Sequence, residues 1–305
     1  MSGNSHYQWQ PYFDQRRLLE IQDDRFCVYT AGPPDADVVF VLLHGGGQTA
    51  LSWALATNVI KSEFGVLAFD YRGHGATQCQ DESDLSTETL TKDAVAVIKN
   101  CVKEDSCIIF AGHSLGGALA IHIAASRLVS VSGICVIDVV EGTAIPALAF
   151  MPALLKRRPT AFASIEDAVC YVINSNTLHS RTAAEISVPP QLCFNNGTGK
   201  WVWRTDLAKS EPYWISWYEG ITPKFLSLSA AKMLVLAHTD RMDKDILISQ
   251  MQGKIQVEII SGGHSIQEDS YDTLSQEMIR FAKRNKFAEL RDLNRRAKSA
   301  SKVQK

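Results

Sequence analysis

A serine between two glycines, in Gly112-His113-Ser114-Leu115-Gly116-Gly117, follows the apolar run Cys107–Ala111 and precedes an alanine-rich stretch from Ala118 to Leu128. In a strand-to-helix elbow such a serine sits on a strained turn, and the glycines remove Cβ atoms that would collide with the adjacent strand and helix. The hydroxyl then stands clear as a nucleophile, and the helix points free N–H groups and its positive dipole end at a forming oxyanion. The triplet alone could arise by chance, with Ser114 a plain helix N-cap; its strand-to-helix setting favours the nucleophile. His44-Gly45-Gly46-Gly47 closes an earlier apolar run, Val38–Leu43. Bare amides at Gly45 and Gly46, with the amide of Leu115, are candidate donors of an oxyanion hole, each worth about 3 kcal/mol in the transition state. His44 itself is expected to brace that loop.

A serine hydroxyl needs a base, and imidazole, with an ordinary pKa of about 6.5, is the best-poised side chain. Of the eight histidines, His6 lies near the N-terminus, His44, His74 and His113 belong to the glycine-rich segments, and His122 and His179 fall in expected helices. His264, in Ser261-Gly262-Gly263-His264, follows the last apolar run and comes late in the chain, as the order Ser, Asp, His requires; His238 is the alternative. A carboxylate must accept the other ring N–H of that histidine, fixing its tautomer and stabilising the imidazolium. Asp138, Asp240 and Asp243 all follow apolar runs between Ser114 and His264, and position does not choose among them. Acyl transfer of this kind requires no metal or cofactor, so none is expected.

All these groups must converge on one sheet edge. Val38–Leu43, Val66–Phe69, Cys107–Ala111, Gly133–Ile137, Lys232–Ala237 and Ile255–Ile260 are short apolar runs suited to strands buried on both faces. Residues 87–103 place Leu90, Ala94, Val97, Ile98 and Cys101 at three- and four-residue intervals, an amphipathic helix, and Tyr271–Lys283 suits a closing helix. The alternation predicts an α/β fold with a mostly parallel central sheet, right-handed crossovers and helices on both faces. From about 139 to 229 the alternation breaks, with prolines at 146, 152, 159, 189, 190, 212 and 223 and a late cluster of Trp201, Trp203, Trp214 and Trp217. The expected division is an N-terminal segment with the first strand over 1–34, a core over 35–138 and 230–286, a helical lid insertion over 139–229, and a basic, disordered tail over 287–305.

With 305 residues, 46% apolar and 21% charged, the chain can build one large α/β domain with an insertion, which excludes disordered, collagen-like and mini-protein classes. A formal net charge of −2 supplies no field for gathering nucleic acid, and no 18-residue apolar run predicts a membrane span. The seven cysteines are scattered without a C-x-x-C pair and read as buried thiols in a reducing compartment. No basic-apolar leader opens the chain, so a cytoplasmic location is expected, with the nucleus as a second compartment.

At this point the chain resembles the protein phosphatase methylesterases, a family of α/β-hydrolases that remove the methyl ester from the C-terminal leucine of the phosphatase 2A catalytic subunit. The resemblance covers roughly residues 35–289. It rests on His44-Gly45-Gly46-Gly47, Asp70-Tyr71-Arg72-Gly73-His74-Gly75 and Gly112–Gly117, which many esterases share. More particular are Val136-Ile137-Asp138-Val139-Val140-Glu141-Gly142-Thr143-Ala144, Trp203-Arg204, and Asp240-Arg241-Met242-Asp243-Lys244-Asp245 with Gln250–Lys254. It implies a triad of Ser114, Asp138 and His264, with the phosphatase catalytic subunit docking on the insertion side of a monomer. The sequence departs where some relatives carry a long acidic insert, here only the 195–200 loop, and at the basic end. Two other functions fit the same motifs: a small-molecule carboxylesterase or lipase, and a non-catalytic phosphatase-binding regulator.

Overall fold

The computed structural model describes residues 7–239 and 242–289. Gln15–Ile21 (β1) and Asp24–Ala31 (β2) form an antiparallel hairpin, so the first 34 residues hold two strands where the sequence suggested one. Next come Val38–Leu43 (β3), Ala54–Ile60 (α1), Gly65–Phe69 (β4), Thr87–Cys101 (α2), Cys107–His113 (β5), Leu115–Ser126 (α3) and Gly133–Ile137 (β6). The segment that interrupts the alternation contains Glu141–Leu148 (α4), Met151–Arg157 (α5), Ala161–Phe162 (β7), Ile165–Asn174 (α6), Arg181–Ser187 (α7), Leu192–Asn195 (β8), Lys200–Trp203 (β9), Trp214–Tyr218 (α8) and Ile221–Ser227 (α9). Ala231–Leu236 (β10), Lys244–Met251 (α10), Gln256–Ile259 (β11), Ile266–Asp269 (α11) and Tyr271–Arg284 (α12) complete the described chain.

The main sheet runs β1-β2-β4-β3-β5-β6-β10-β11, with β1 and β2 antiparallel and every pair from β4 to β11 parallel. Two buried cores explain why its strands read as unbroken apolar runs. On β3, Phe40 and Leu42 enter one core with Trp53 of the turn before α1 and Leu274, Met278 and Phe281 of α12. Val41 and Leu43 enter the other, with Leu90 and Ala94 of α2 and Ala118 to Ile121 and Ile123 of α3. A strand facing two cores gains from apolar residues at every position, whereas one facing water would alternate. Truncating a side chain such as Phe281 to Ala would cost about 3–5 kcal/mol.

Local signals start and stop these elements. The Ser86 hydroxyl caps α2 by accepting from the Thr89 amide, with Glu88 in its first turn and Lys99 in its last, where the helix dipole favours each. Ser164 and Asp167 form a reciprocal capping box on α6. The inserted segment carries helices, as expected, together with a three-stranded antiparallel sheet, β7-β9-β8, that propensity did not reveal. That sheet and α6–α7 share a small core of Phe162, Val169, Val172, Leu178, Ala184, Val188 and Leu192, with Trp201 and Trp203 against it.

Three of the cysteines, Cys27, Cys107 and Cys135, are buried; Cys79, Cys101, Cys170 and Cys193 are half-buried, and all seven are free. The tail expected to be disordered from residue 287 begins with an anchored residue: Phe287 is buried against Phe281. Residues 290–305 lie outside the described part.

Candidate active site

Every loop named as chemical by the sequence leaves the carboxyl edge of the parallel strands. Ser114 sits between β5 and α3 at φ 52°, ψ −119°, a backbone conformation a side chain rarely adopts and one that costs about 1–3 kcal/mol. A Cβ at Gly112 would lie 2.1 Å from the Gly116 carbonyl, and one at Gly116 would lie 2.1 Å from the Leu43 carbonyl. Only glycine fits at either place. The Ser114 amide donates to the Ile137 carbonyl at 3.0 Å, which ties the elbow to the end of β6. Beside it the phenol of Tyr218, from α8, is pushed up to about 12 by burial, partly offset by hydrogen bonding with Ser114.

Asp138 follows β6 immediately, also in the left-handed region at φ 53°. Its side chain is fully buried; Oδ1 accepts from the Ala237 amide at 3.1 Å and Oδ2 lies 2.7 Å from Nδ1 of His264. A carboxylate can only accept, so Nδ1 carries a proton, and in the neutral ring the lone pair falls on Nε2. The His264 ring is 48% exposed, open to a substrate. His113, next to Ser114, lies with its ring 4.6 Å from that of His264, its Nε2 donating to the His264 carbonyl at 2.9 Å. The histidine loop therefore rests on the elbow.

The glycine loop resolves which amide is available. Gly45 donates to Gln48 Oε1 at 3.0 Å and Gly47 donates to His74 Nε2 at 3.0 Å. Gly45, expected among the oxyanion donors, is thus already committed. The Gly46 amide has no acceptor among the described residues, nor does that of Leu115 at the first position of α3, where helix geometry leaves it free. A Cβ built on Gly46 would lie 3.8 Å from the Leu115 side chain, so these two positions face one another.

The competing histidines are accounted for by their bonds. His44 accepts from the Tyr71 amide at 3.1 Å through Nε2 and donates to the Gly45 carbonyl at 2.8 Å, and burial holds its pKa well below the usual imidazole range. His74 spans the Arg72 carbonyl and the Gly47 amide, its pKa pressed to about 4 by burial. Both are neutral braces. His122 is on α3 as expected, but His179 lies in the turn before α7, where its backbone and that of Ser180 donate to Asp269 Oδ1. His238 is exposed beyond β10.

Among the acids, Asp243 caps α10 by accepting from the Ile246 amide and accepts from the Thr222 hydroxyl. Asp240 lies outside the described residues. Asp70, in the Asp-Tyr-Arg-Gly-His-Gly motif, is a buried bracket that accepts from the Ala50 and Ala76 amides; burial raises its pKa to about 6. Among the described residues no group of three His, Cys, Asp or Glu side chains could hold a metal ion. Tyr218 and Gln48 were not singled out from sequence. The elbow motif says nothing of a residue of the inserted segment a hundred positions away, and Gln48 reads as part of a polar turn.

A family model described as the alpha/beta hydrolase family matches residues 40–277. A probable protein phosphatase methylesterase 1 of Caenorhabditis elegans is 43% identical over 291 residues, covering 93% of this chain and 79% of the relative. Protein phosphatase methylesterase 1 of Schizosaccharomyces pombe is 41% identical, covering 91% and 85%. The Homo sapiens protein of that name is 36% identical, covering 92% and 85%. The chain belongs to the protein phosphatase methylesterase family of α/β-hydrolases. It is a carboxylic ester hydrolase by that membership. Solved structures agree on the fold: an E-2-(acetamidomethylene)succinate hydrolase superposes with a TM-score of 0.75 at 17% identity, covering 88% of this chain and 99% of that one. An esterase of Mycobacterium tuberculosis gives 0.64 at 23%, covering 87% and 89%. No helix among the described residues is long and apolar enough to cross a membrane.

Proposed function

We propose that this chain removes the methyl ester from the C-terminal leucine of the protein phosphatase 2A catalytic subunit, with Ser114 as nucleophile, His264 as general base and acid, and Asp138 as its orienting carboxylate. The observation that carries the reading is the 2.7 Å contact between buried Asp138 and His264, on a loop lying against the strained Ser114 elbow. His264 Nε2 takes the Ser114 proton as Oγ attacks the ester carbonyl, and the Gly46 and Leu115 amides donate to the resulting oxyanion. The tetrahedral adduct collapses, the C–O bond to methoxide breaks, and His264 returns the proton so that methanol leaves. Water, deprotonated by the same ring, attacks the acyl-enzyme; collapse restores the Ser114 hydroxyl and frees the peptide carboxylate. Asp138 stabilises the imidazolium in both halves without being protonated.

In this reading residues 139–229 form a lid on which the phosphatase subunit docks, and the chain works as a monomer in the cytoplasm, with the nucleus as a second compartment. The exposed apolar side chains of Phe150 and Leu154 on and beside α5 suit such a surface. The buried Trp214 and Trp217 instead pack beneath it: Trp217 donates to the Leu85 carbonyl and Trp214 to the Ser210 hydroxyl. The test is a single-turnover assay on the methylated phosphatase tail beside a short aryl ester. Cleavage of both is expected; an enzyme that takes the aryl ester and leaves the methylated tail is a general carboxylesterase.

A further inference from the structure

Gln48, one residue beyond the glycine loop, makes polar contacts with three segments far apart in the chain. Its Oε1 accepts from the Gly45 amide at 3.0 Å and lies 3.1 Å from Nδ1 of His113, the residue before Ser114. Its Nε2 donates to Glu268 Oε2 at 3.0 Å and to the Ser265 hydroxyl at 3.3 Å, in the turn that follows His264. Because a backbone N–H only donates, the carboxamide oxygen must face Gly45 and the nitrogen must face the carboxyl group. Gln267 adds a longer contact to the same oxygen at 3.4 Å.

We infer that Gln48 is a positioning residue for the ester hydrolysis: its carboxamide clamps the loop presenting the Gly46 amide to the segment presenting His264, so that oxyanion donor and base are held in one frame. The inference rests on the serine-hydrolase reading of the site. Gln48 does not touch the reacting atoms; it acts through Gly45 and through the turn after His264. Glu268, His113, Ser265 and Gln267 around it are all buried, so these hydrogen bonds form where water does not compete for them. A Cβ on Gly45 would lie 2.8 Å from Gln48 Oε1 and 2.9 Å from His113 Nδ1, which shows how closely the loop is drawn onto the clamp. The ionisable groups facing the carboxamide are His113 from β5 and Glu268 from α11, the latter raised to about 8 by burial, with the Asp269 charge adding to the rise.

Two variants of the full chain test this. Gln48→Met keeps length and removes both polar atoms; kcat on p-nitrophenyl acetate is expected to fall about 10- to 100-fold while KM stays within about threefold, because a misplaced donor acts on the transition state. Gln48→Glu sets a second carboxyl against Glu268. The pair can be accommodated while it shares a proton, so the variant should approach wild-type kcat near about pH 6–7 and lose it about tenfold or more above about pH 8, where the wild type stays flat. Should Gln48→Met not fold, the pH profile of Gln48→Glu decides. Folded variants with wild-type kcat across the whole range, or a loss confined to KM, would overturn the inference. Slower hydrogen exchange of the Gly45 amide in the wild type than in Gln48→Met reads the clamp without turnover, and equal exchange would overturn it too. If the wild type cleaves the aryl ester but not the methylated tail, the substrate assignment fails while the Gln48 comparison still stands.

Discussion

His264 Nδ1 and Asp138 Oδ2 lie 2.7 Å apart across 126 residues of sequence, joining the loop after β11 to the end of β6. The acid that orients the histidine therefore sits directly after the strand beside the elbow strand, and Asp243, a later candidate, is occupied as a helix cap. Asp138→Asn is expected to lower kcat by about 10⁴-fold, because the amide favours the wrong imidazole tautomer. Asp243→Ala should instead cost about 1 kcal/mol of stability, measured by denaturant unfolding, with turnover little changed. Asp240→Asn belongs beside them; a larger loss there than at Asp138 would move the acid to the later strand.

Ser114→Ala is expected to lower demethylation by about 10³-fold or more while far-UV circular dichroism and phosphatase binding persist. The strained φ at 114 suggests a second effect. A Ser114→Gly variant should gain stability of about 1 kcal/mol by relieving the left-handed conformation, less the entropy that glycine adds to the unfolded chain. Thermal unfolding compared across the three proteins checks this.

The glycine loop should discriminate sharply between neighbours. A Cβ at Gly46 meets only ordinary contacts at 3.6 and 3.8 Å, whereas one at Gly45 falls under 3 Å from both Gln48 and His113. Gly46→Ala is expected to unfold within about 2 °C of the wild type, and Gly45→Ala several degrees lower with kcat reduced about 100-fold. Equal melting temperatures would mean that the loop is looser than its contacts indicate.

The buried Glu268 makes a pH signature. Its folded pKa of about 8 lies above the ordinary glutamate value of 4.5, so its contribution to stability is complete below pH 4.5 and is lost as pH rises toward 8. Asp70 acts with the same sign from 3.8 to about 6, and His74 with the opposite sign, losing stability as pH falls from 6.5 toward about 4. Above pH 6.5 the difference between wild type and Glu268→Gln isolates Glu268. Urea titrations across that window should show the wild type weakening relative to the variant; parallel curves would contradict a protonated Glu268.

Much of this was legible in the sequence because burial on both faces writes each central strand as an apolar run and strain writes the elbow as glycine, serine, glycine. Gly133–Ile137 and the helix at Tyr271 were readable to within a residue for that reason. The β7-β9-β8 sheet was not, since strands of two to four residues with mixed burial carry too few positions to show a period of two. The Asp138 assignment came from family likeness, as spacing could not distinguish three aspartates after strands. Gly45 illustrates the opposite limit: composition marks a glycine loop as able to donate, but only the position of Gln48 shows which amide is already used. The value of His179 as a tether to Asp269 was likewise invisible, because the contact joins a turn to the last residue of α11, 90 residues away.

Mass spectrometry of the phosphatase tail, carrying its C-terminal leucine methyl ester and incubated with wild type or with Ser114→Ala, tests whether Ser114 is the nucleophile of demethylation. The wild type is expected to convert the ester to the free carboxylate with release of methanol, and Ser114→Ala, equally folded, to leave it methylated. An ester that survives the wild type, or one cleaved as fast by Ser114→Ala, would contradict that assignment.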